Sequence, residues 1–229
     1  MSWDEAWFET GTRTLAGTLW RGVEAQHRVA TLRLVDTLAE QAQLEALLEA
    51  SKPPLPPRSD TLHYLIATPF RYRSPHGSRF RAAGEPGVWY GAKELHTACA
   101  EVAYWRWRFL MDSAGLRDGA LVTEHTLFQA QVRGRAIDLT RPPWSAQAAT
   151  WTASDDHAPC QALGRAARTR VQWLRYSSVR KPGGLCGAVF DPHALTLPAP
   201  LAQQTWTCKV TATQALMVHG SDRLEVALG

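Results

Sequence analysis

TPFRYRSPHGSRFRAAGEPGVWYGAKELHTACAEVAY, residues 68–104, changes texture three times in a short span. It opens with Arg71, Arg73, Arg79 and Arg81, and Gly77-Ser78 sits directly before Arg79. Gly84-Glu85-Pro86-Gly87 then reads as a turn, because Gly and Pro punctuate regular structure. Val88-Trp89-Tyr90 reads as a strand. From His96 to about Asp112 the apolar residues Ala98, Val102, Trp105 and Phe109 fall on one face of a predicted helix, with Gly115 as its stop. A loop, a short strand and a long helix in succession point to an α+β fold rather than a regular βαβ ladder.

Working outward toward the N-terminus, the first third of the chain reads as helical. Ser2 and Glu5 have capping-box spacing. From about Val23 to Ala50, Val29, Leu32, Val35, Leu38, Leu44, Leu47 and Leu48 recur at helical spacing, until Pro53, Pro54, Pro56 and Pro57 end the pattern. The arm is expected to be a packing layer, with a lid or an oligomer surface as alternatives. Tyr64-Leu65-Ile66-Ala67 reads as a short strand stopped by Pro69. Toward the C-terminus, strands are expected at 120–128, 132–139, around Tyr176 and at 186–190. A helix is expected at 161–171 and a terminal hairpin between about 204 and 218.

With 229 residues, 45% hydrophobic, and ten Trp, the chain can bury one sizeable core. A net charge of +4 without a run of like charges argues against a nucleic-acid tail. Four of the 25 basic residues are Lys, so the positive charge resides in Arg, whose planar fork suits phosphate and carboxylate. Cys99, Cys160, Cys186 and Cys208 lack metal-ligand spacing and are expected to be buried and reduced. No secretory leader and no apolar stretch of roughly 20 residues is present, so a cytoplasmic location is expected. P-loop, Rossmann, zinc and G-x-S-x-G signatures are all missing, and the loop Asp155-Asp156-His157 is a weak metal candidate; no metal is expected.

Three residues stand out for chemistry. Arg79, beside a small-residue loop, suits an anion such as a pyrophosphate, or else belongs to a solvated basic loop. Tyr90 follows eleven residues later, at a strand end. It is either a ring for a ligand to stack on or an ordinary half-buried Tyr. Glu101, eleven residues further, lies among Ala98, Cys99, Ala100, Val102 and Ala103. A carboxylate in such surroundings needs a partner: either a ribose whose developing positive charge it stabilises, or a structural Arg. Ser177 and Ser178 in YSSVRKPGG, residues 176–184, form a fourth element, a ligand-binding hydroxyl or a turn serine.

Together these residues resemble the RES domain family, toxins of bacterial RES–Xre toxin–antitoxin pairs. The resemblance runs over TPFRY (68–72), GSRF (77–80), VWYGA (88–92), TACAEVAY (97–104), AIDLT (136–140), the Gln161 helix and YSSVR (176–180), roughly residues 60 to 195. The N-terminal arm is similar to the helical extension of a longer subgroup, which divides the chain into a helical extension at 1–58 and a RES domain at 59–229. Ser177 stands where Pro is usual in the family, so Ser178 is the matching serine, and the loop from Arg71 to Arg79 is short, so Arg79 matches better than Arg71. The resemblance implies a mixed sheet similar to that of ADP-ribosyltransferases, with NAD as substrate, broken down by phosphorolysis or hydrolysis, or used to transfer ADP-ribose to a protein; a non-catalytic member that only binds a nucleotide or a partner protein is the alternative. It implies that Arg71, Tyr72, Arg79, Tyr90 and Ser178 bind the ligand and that Glu101, with Arg79 and Tyr90, carries catalysis. It also implies an Xre-type helix-turn-helix antitoxin as partner, contact with DNA only through that antitoxin, and no membrane. A homodimer is a further expectation, from the prevalence of closed symmetric assemblies.

Overall fold

The computed structural model describes residues 3–25, 31, 34–57 and 59–228. Among them, eight strands form one sheet in the order β1-β2-β5-β4-β3-β6-β7-β8. They are β1 (Thr12–Glu24), β2 (Trp89–Ala92), β3 (Leu121–Asp138), β4 (Trp173–Ser177), β5 (Leu185–Val189), β6 (Ala202–Val210), β7 (Gln214–His219) and β8 (Asp222–Ala227). All pairings are antiparallel except β3 with β4. The helices are α1 (Ala6–Gly11), α2 (Leu38–Ser51), α3 (Tyr64–Arg71), α4 (Leu95–Asp112), α5 (Ala148–Trp151) and α6 (Ala158–Ala167). The fold is α+β, with no helix among the described residues long and apolar enough to cross a membrane.

β3 is one unbroken strand where the sequence suggested two, and it organises the sheet. One edge pairs with β1 along Thr12↔Ile137 to Glu24↔His125. The other edge pairs with β6 at Leu121–Gln129 and with β4 at Ala136–Asp138. Because β1 also meets β2, the five strands β1, β2, β5, β4 and β3 close into a ring, and β6, β7 and β8 extend it as a tail. The ring's interior takes Leu19, Trp89, Val189, Trp173 and Phe128, one from each strand, and α3 packs Leu65, Ile66 and Phe70 against them. The outer face carries a second core, with Ala92, Leu174, Cys186 and Ala188 beneath α4 and α6. Strand alternation at period two sorts these two sets.

Three expectations are corrected. Thr12–Glu24 is a strand and not part of a helical arm. Leu15, Leu19 and Val23 recur every four residues, which satisfies a helix stripe and, being a multiple of two, one face of a strand equally. Tyr64–Ala67 is the start of α3 and not a strand; a short apolar run carries no period to separate the two. Pro69 lies inside this helix and removes one intrahelical bond without ending it. Finally, α2 is not a packing layer: Leu38, Leu47 and Leu48 are exposed and only Gln41 is buried. Its N-terminus is a capping box of Thr37 and Glu40. The expected Ser2 capping box, and Val29 and Leu32 of the expected arm, lie outside the described residues.

All four cysteines are buried and unpaired. His125, on β3, is 2% exposed, with Nε2 2.8 Å from the Thr123 hydroxyl. Burial pulls its pKa from 6.5 down to about 4. The native state therefore holds the imidazole neutral while the unfolded chain protonates it near pH 6.5, so stability falls as pH drops through that interval. Melting temperature is expected to decline from pH 7 toward pH 4, and His125→Gln is expected to flatten that decline.

Candidate functional site

The closure of the ring is incomplete at one seam. β1 and β2 share only the pair Trp20↔Ala92, and beyond it they part. A cavity of about 470 Å³ opens there, bounded by Trp20–Glu24 of β1, Tyr90–Ala92 of β2, the outer face of α4, and the segments carrying Ser78-Arg79 and Val179-Arg180. This is within the range of about 300–1,000 Å³ usual for small-molecule sites. Gly22 sets its depth: a Cβ there would sit 2.4 Å from the Val102 side chain, so only glycine lets α4 come this close to β1. Of the α4 face read from sequence as apolar, Ala98, Val102 and Trp105 line this cavity, and Trp105 and Phe109 are 53% and 51% exposed.

Arg79, Tyr90 and Glu101 all border this cavity. Arg79 Nη1 donates to the carbonyls of Trp151 (3.1 Å) and Ala153 (2.8 Å), fixing the guanidinium against the end of α5. The guanidinium also meets the Cys160 thiol, partly offsetting the rise that burial gives its pKa. The segment is held by close backbone approach. A Cβ on Gly164 of α6 would stand 2.2 Å from the Phe80 carbonyl oxygen, and Gln161 Nε2 donates to the Ser78 carbonyl at 3.1 Å. The Tyr90 hydroxyl lies 2.9 Å from Ser78 Oγ and accepts from the Phe80 N–H at 3.0 Å. Burial raises the Tyr90 pKa, so the phenol stays neutral and acts as a rigid strut.

Glu101 is the focus of the site. Its Oε1 accepts from Ser178 Oγ at 2.6 Å, with the Cys186 thiol at 3.8 Å. The Ser178 hydroxyl also accepts from the N–H groups of Arg180 and Lys181, both at 3.1 Å. One donor and two acceptor positions are all a hydroxyl has. Ser178, 7% exposed, has these positions taken by Glu101 and the two amides, and it does not line the cavity. Burial, reinforced by Glu101, pushes the Cys186 thiol up, and the Tyr176 phenol is raised for the same first reason. Both stay neutral, so the charge on this wall belongs to Glu101. Glu24 also lines the cavity, but it is paired with Arg106 at 3.1 Å. Glu101 has no such ion pair among the described residues.

Two expected ligand-binding residues lie elsewhere. Arg71 is engaged with Glu49 (2.8 Å) and the Pro53 carbonyl (2.5 Å), so it ties α3 to α2. Tyr72 is exposed, and neither residue borders the cavity. Arg81 is also structural, bonded to the carbonyls of Ser74 and His76.

Sequence reasoning missed several residues that do border it. Arg180 stacks over the Tyr104 ring at 3.3 Å from the centroid, and burial lowers its pKa. His157 has a buried Nε2 without a partner; burial, then Arg79 and Arg180, lower its pKa and favour the neutral imidazole. Arg21, on β1, donates from Nη1 to the Tyr90 carbonyl at 2.9 Å, and burial lowers its pKa to about 10. A β1 read correctly as a strand would have drawn attention to Arg21, the lone charge in an apolar stretch. Among the described residues no group of three His, Cys, Asp or Glu side chains is placed to hold a metal. Asp156 instead caps the N–H of Ala158, at the start of α6.

Several known proteins bear on this arrangement. The family model described as RES domain matches residues 55–211. In fold, the chain is similar to the solved structure of the M. tuberculosis MbcT–MbcA toxin–antitoxin complex, with a TM-score of 0.50 and 19% identity over 91% of this chain and 94% of that one. No curated protein matches the sequence.

Gly164→Ala tests how the Arg79 segment is held. Ala normally favours a helix interior over Gly, yet here the added methyl meets the Phe80 carbonyl. A loss of about 1–3 kcal/mol in chemical denaturation is expected, the usual cost of overpacking.

Proposed function

The chain belongs to the RES domain family, and from the meeting of Arg79, Tyr90 and Glu101 at one cavity we propose that it is a toxin enzyme that cleaves the nicotinamide–ribose bond of NAD. The observation that carries this reading is the fixed carboxylate. Glu101 is held by Ser178, lies free of any ion pair among the described residues, and shares its cavity with the Arg79 guanidinium.

As the C1″–N bond breaks, nicotinamide leaves with the electron pair and positive charge gathers on the ribose. A carboxylate already oriented stabilises that charge without reorganisation, which is where most electrostatic catalysis arises. Glu101 is assigned this role and Ser178 that of positioning it. Arg79 holds a phosphate oxygen of the dinucleotide through charge-assisted hydrogen bonds. Tyr90, rigid through its two hydroxyl contacts, forms the wall against which the nicotinamide side packs. An incoming phosphate or water then forms the new C1″–O bond, giving ADP-ribose-1″-phosphate or ADP-ribose. Transfer of ADP-ribose to a protein shares the same leaving step and is the alternative outcome. The family and the likeness to a toxin–antitoxin complex support an antitoxin partner, which we take to be of the Xre helix-turn-helix type, and we place the reaction in the cytoplasm, where NAD is available. Exposed Trp105 and Phe109, beside the cavity, suit a partner that covers it.

Incubating the protein with NAD, with and without phosphate, and identifying products by mass decides the acceptor. Glu101→Gln is expected to abolish nicotinamide release while the melting curve stays close to that of the wild type. Ser178→Ala is expected to lower kcat about 10–100-fold with a smaller change in KM, since it acts on a group used chiefly in the transition state. Arg71→Ala is expected to leave turnover unchanged. A folded wild-type protein that releases no nicotinamide under either condition would rule the reading out.

A further inference from the structure

The cavity wall does not stop at Glu101. Helix α4 lines it from Ala98 to Arg106, about 12 Å of helix at 1.5 Å per residue. Strand β1 lines it from Trp20, beside β2, to Glu24. The two elements run side by side: Gly22 lies against Val102 at mid-length, and Arg106 Nη1 donates to Glu24 Oε2 at 3.1 Å at the end away from the seam. That end also carries Trp105, four residues and so one helical turn beyond Glu101 on the same face of α4. The Trp105 indole is more than half exposed, and the Tyr104 ring stands against it at 76°, with 5.6 Å between centroids. One ring is thus braced beside the cavity with an arginine-held carboxylate as its neighbour.

A ring and a carboxylate of this kind recognise a nucleoside. A purine gains by stacking on an indole face, and a carboxylate accepts from a ribose hydroxyl while repelling a phosphate at the same position. The bond to Arg106 takes one Glu24 oxygen, and a carboxylate accepts at both. We propose that this end of the cavity is the adenosine subsite: adenine stacks on Trp105, the adenosine 2′-hydroxyl donates to Glu24, and the chain thereby selects the dinucleotide without a 2′-phosphate. The subsite rests on the NAD reading for the identity of the ligand. With the nicotinamide riboside at Tyr90 and Glu101 and the pyrophosphate at Arg79, adenosine is the part of the molecule still to be placed. Trp105 and Glu24 are cavity residues that the cleavage step leaves unused. Arg106 is a ready partner for a 2′-phosphate, and Glu24 already occupies it.

The test is calorimetric titration of the full chain with ADP-ribose, with its 2′-phosphate derivative and with nicotinamide mononucleotide, which has no adenosine. Both side chains are largely exposed, so their replacement leaves the core intact. Trp105→Ala is expected to weaken ADP-ribose about ten-fold, Trp105→Phe to recover part of that loss, and nicotinamide mononucleotide to stay within about two-fold of wild type. Glu24→Gln removes the negative charge and releases Arg106. It is expected to weaken ADP-ribose and strengthen the 2′-phosphate derivative, moving the preference between them about ten-fold or more. Wild-type affinity of Trp105→Ala for ADP-ribose overturns the proposal, as does an equal loss for nicotinamide mononucleotide. So does a preference that Glu24→Gln leaves unmoved, or a wild-type protein that does not bind ADP-ribose. Nicotinamide release, assayed in parallel, keeps the two readings apart. Trp105-dependent binding without release sinks NAD cleavage and leaves the adenosine subsite; release from NAD that is indifferent to Trp105 and Glu24 does the reverse.

Discussion

Everything at the site depends on how β3 shares its two edges. It takes β1 along one edge and β6 followed by β4 along the other, and this brings β1 round to meet β2. A ring closed this way cannot pair every strand along its full length. The shortfall falls between β1 and β2, which hold each other at one residue pair. Unpaired backbone at such a seam must be satisfied by something other than a ladder partner. Arg21 serves the Tyr90 carbonyl, and α4 packs over the opening at the distance that Gly22 permits. The cavity is thus where the sheet's closure falls short.

The charges are arranged on this frame with little redundancy. Two ionisable neighbours of Glu101, Cys186 and Tyr176, are kept neutral by burial. Ser178 spends its whole hydrogen-bonding capacity on one carboxylate oxygen and two backbone amides. Arg79 and Arg180 line the same cavity, with the imidazole of His157 held toward its neutral form near both. A carboxylate without an ion pair among the described residues, sharing a cavity with guanidinium groups, suits a ligand that is anionic at one end and becomes cationic at the other.

Much of this was legible in the sequence, and what was missed has definite causes. Arg79, Tyr90 and Glu101 could be singled out because they sit on short, locally readable elements: a small-residue loop, a strand end and a long helix. The strand at Trp89–Ala92 and the helix at Leu95–Asp112 lie where their patterns put them. Arg71 lies away from the cavity because its partners, Glu49 and Pro53, come from a segment whose position no local pattern reveals. Ser178 was found, but its bond to Glu101 was not, since which atom a hydroxyl faces is a tertiary fact. β1 was missed because its four-residue spacing fits helix and strand alike, and Arg21 was missed with it. The helix of α4 was read correctly, yet Trp105 borders the cavity and both Trp105 and Phe109 are exposed and not part of a core.

The long pairing of β1 with β3 also bears on where this protein can be cut. A piece trimmed to residues 55–211 keeps Arg79, Tyr90, Glu101 and Ser178, but it strips β1 from one edge of β3 and β7 from β6. What remains is a row of unsatisfied amides and carbonyls facing solvent from His125 to Ile137. Bare edges of that length recruit other strands, often from a second copy of the same chain. The minimal unit by family likeness is therefore not the minimal unit that stays soluble, and the residues ahead of it act as the fold's own guard against self-association.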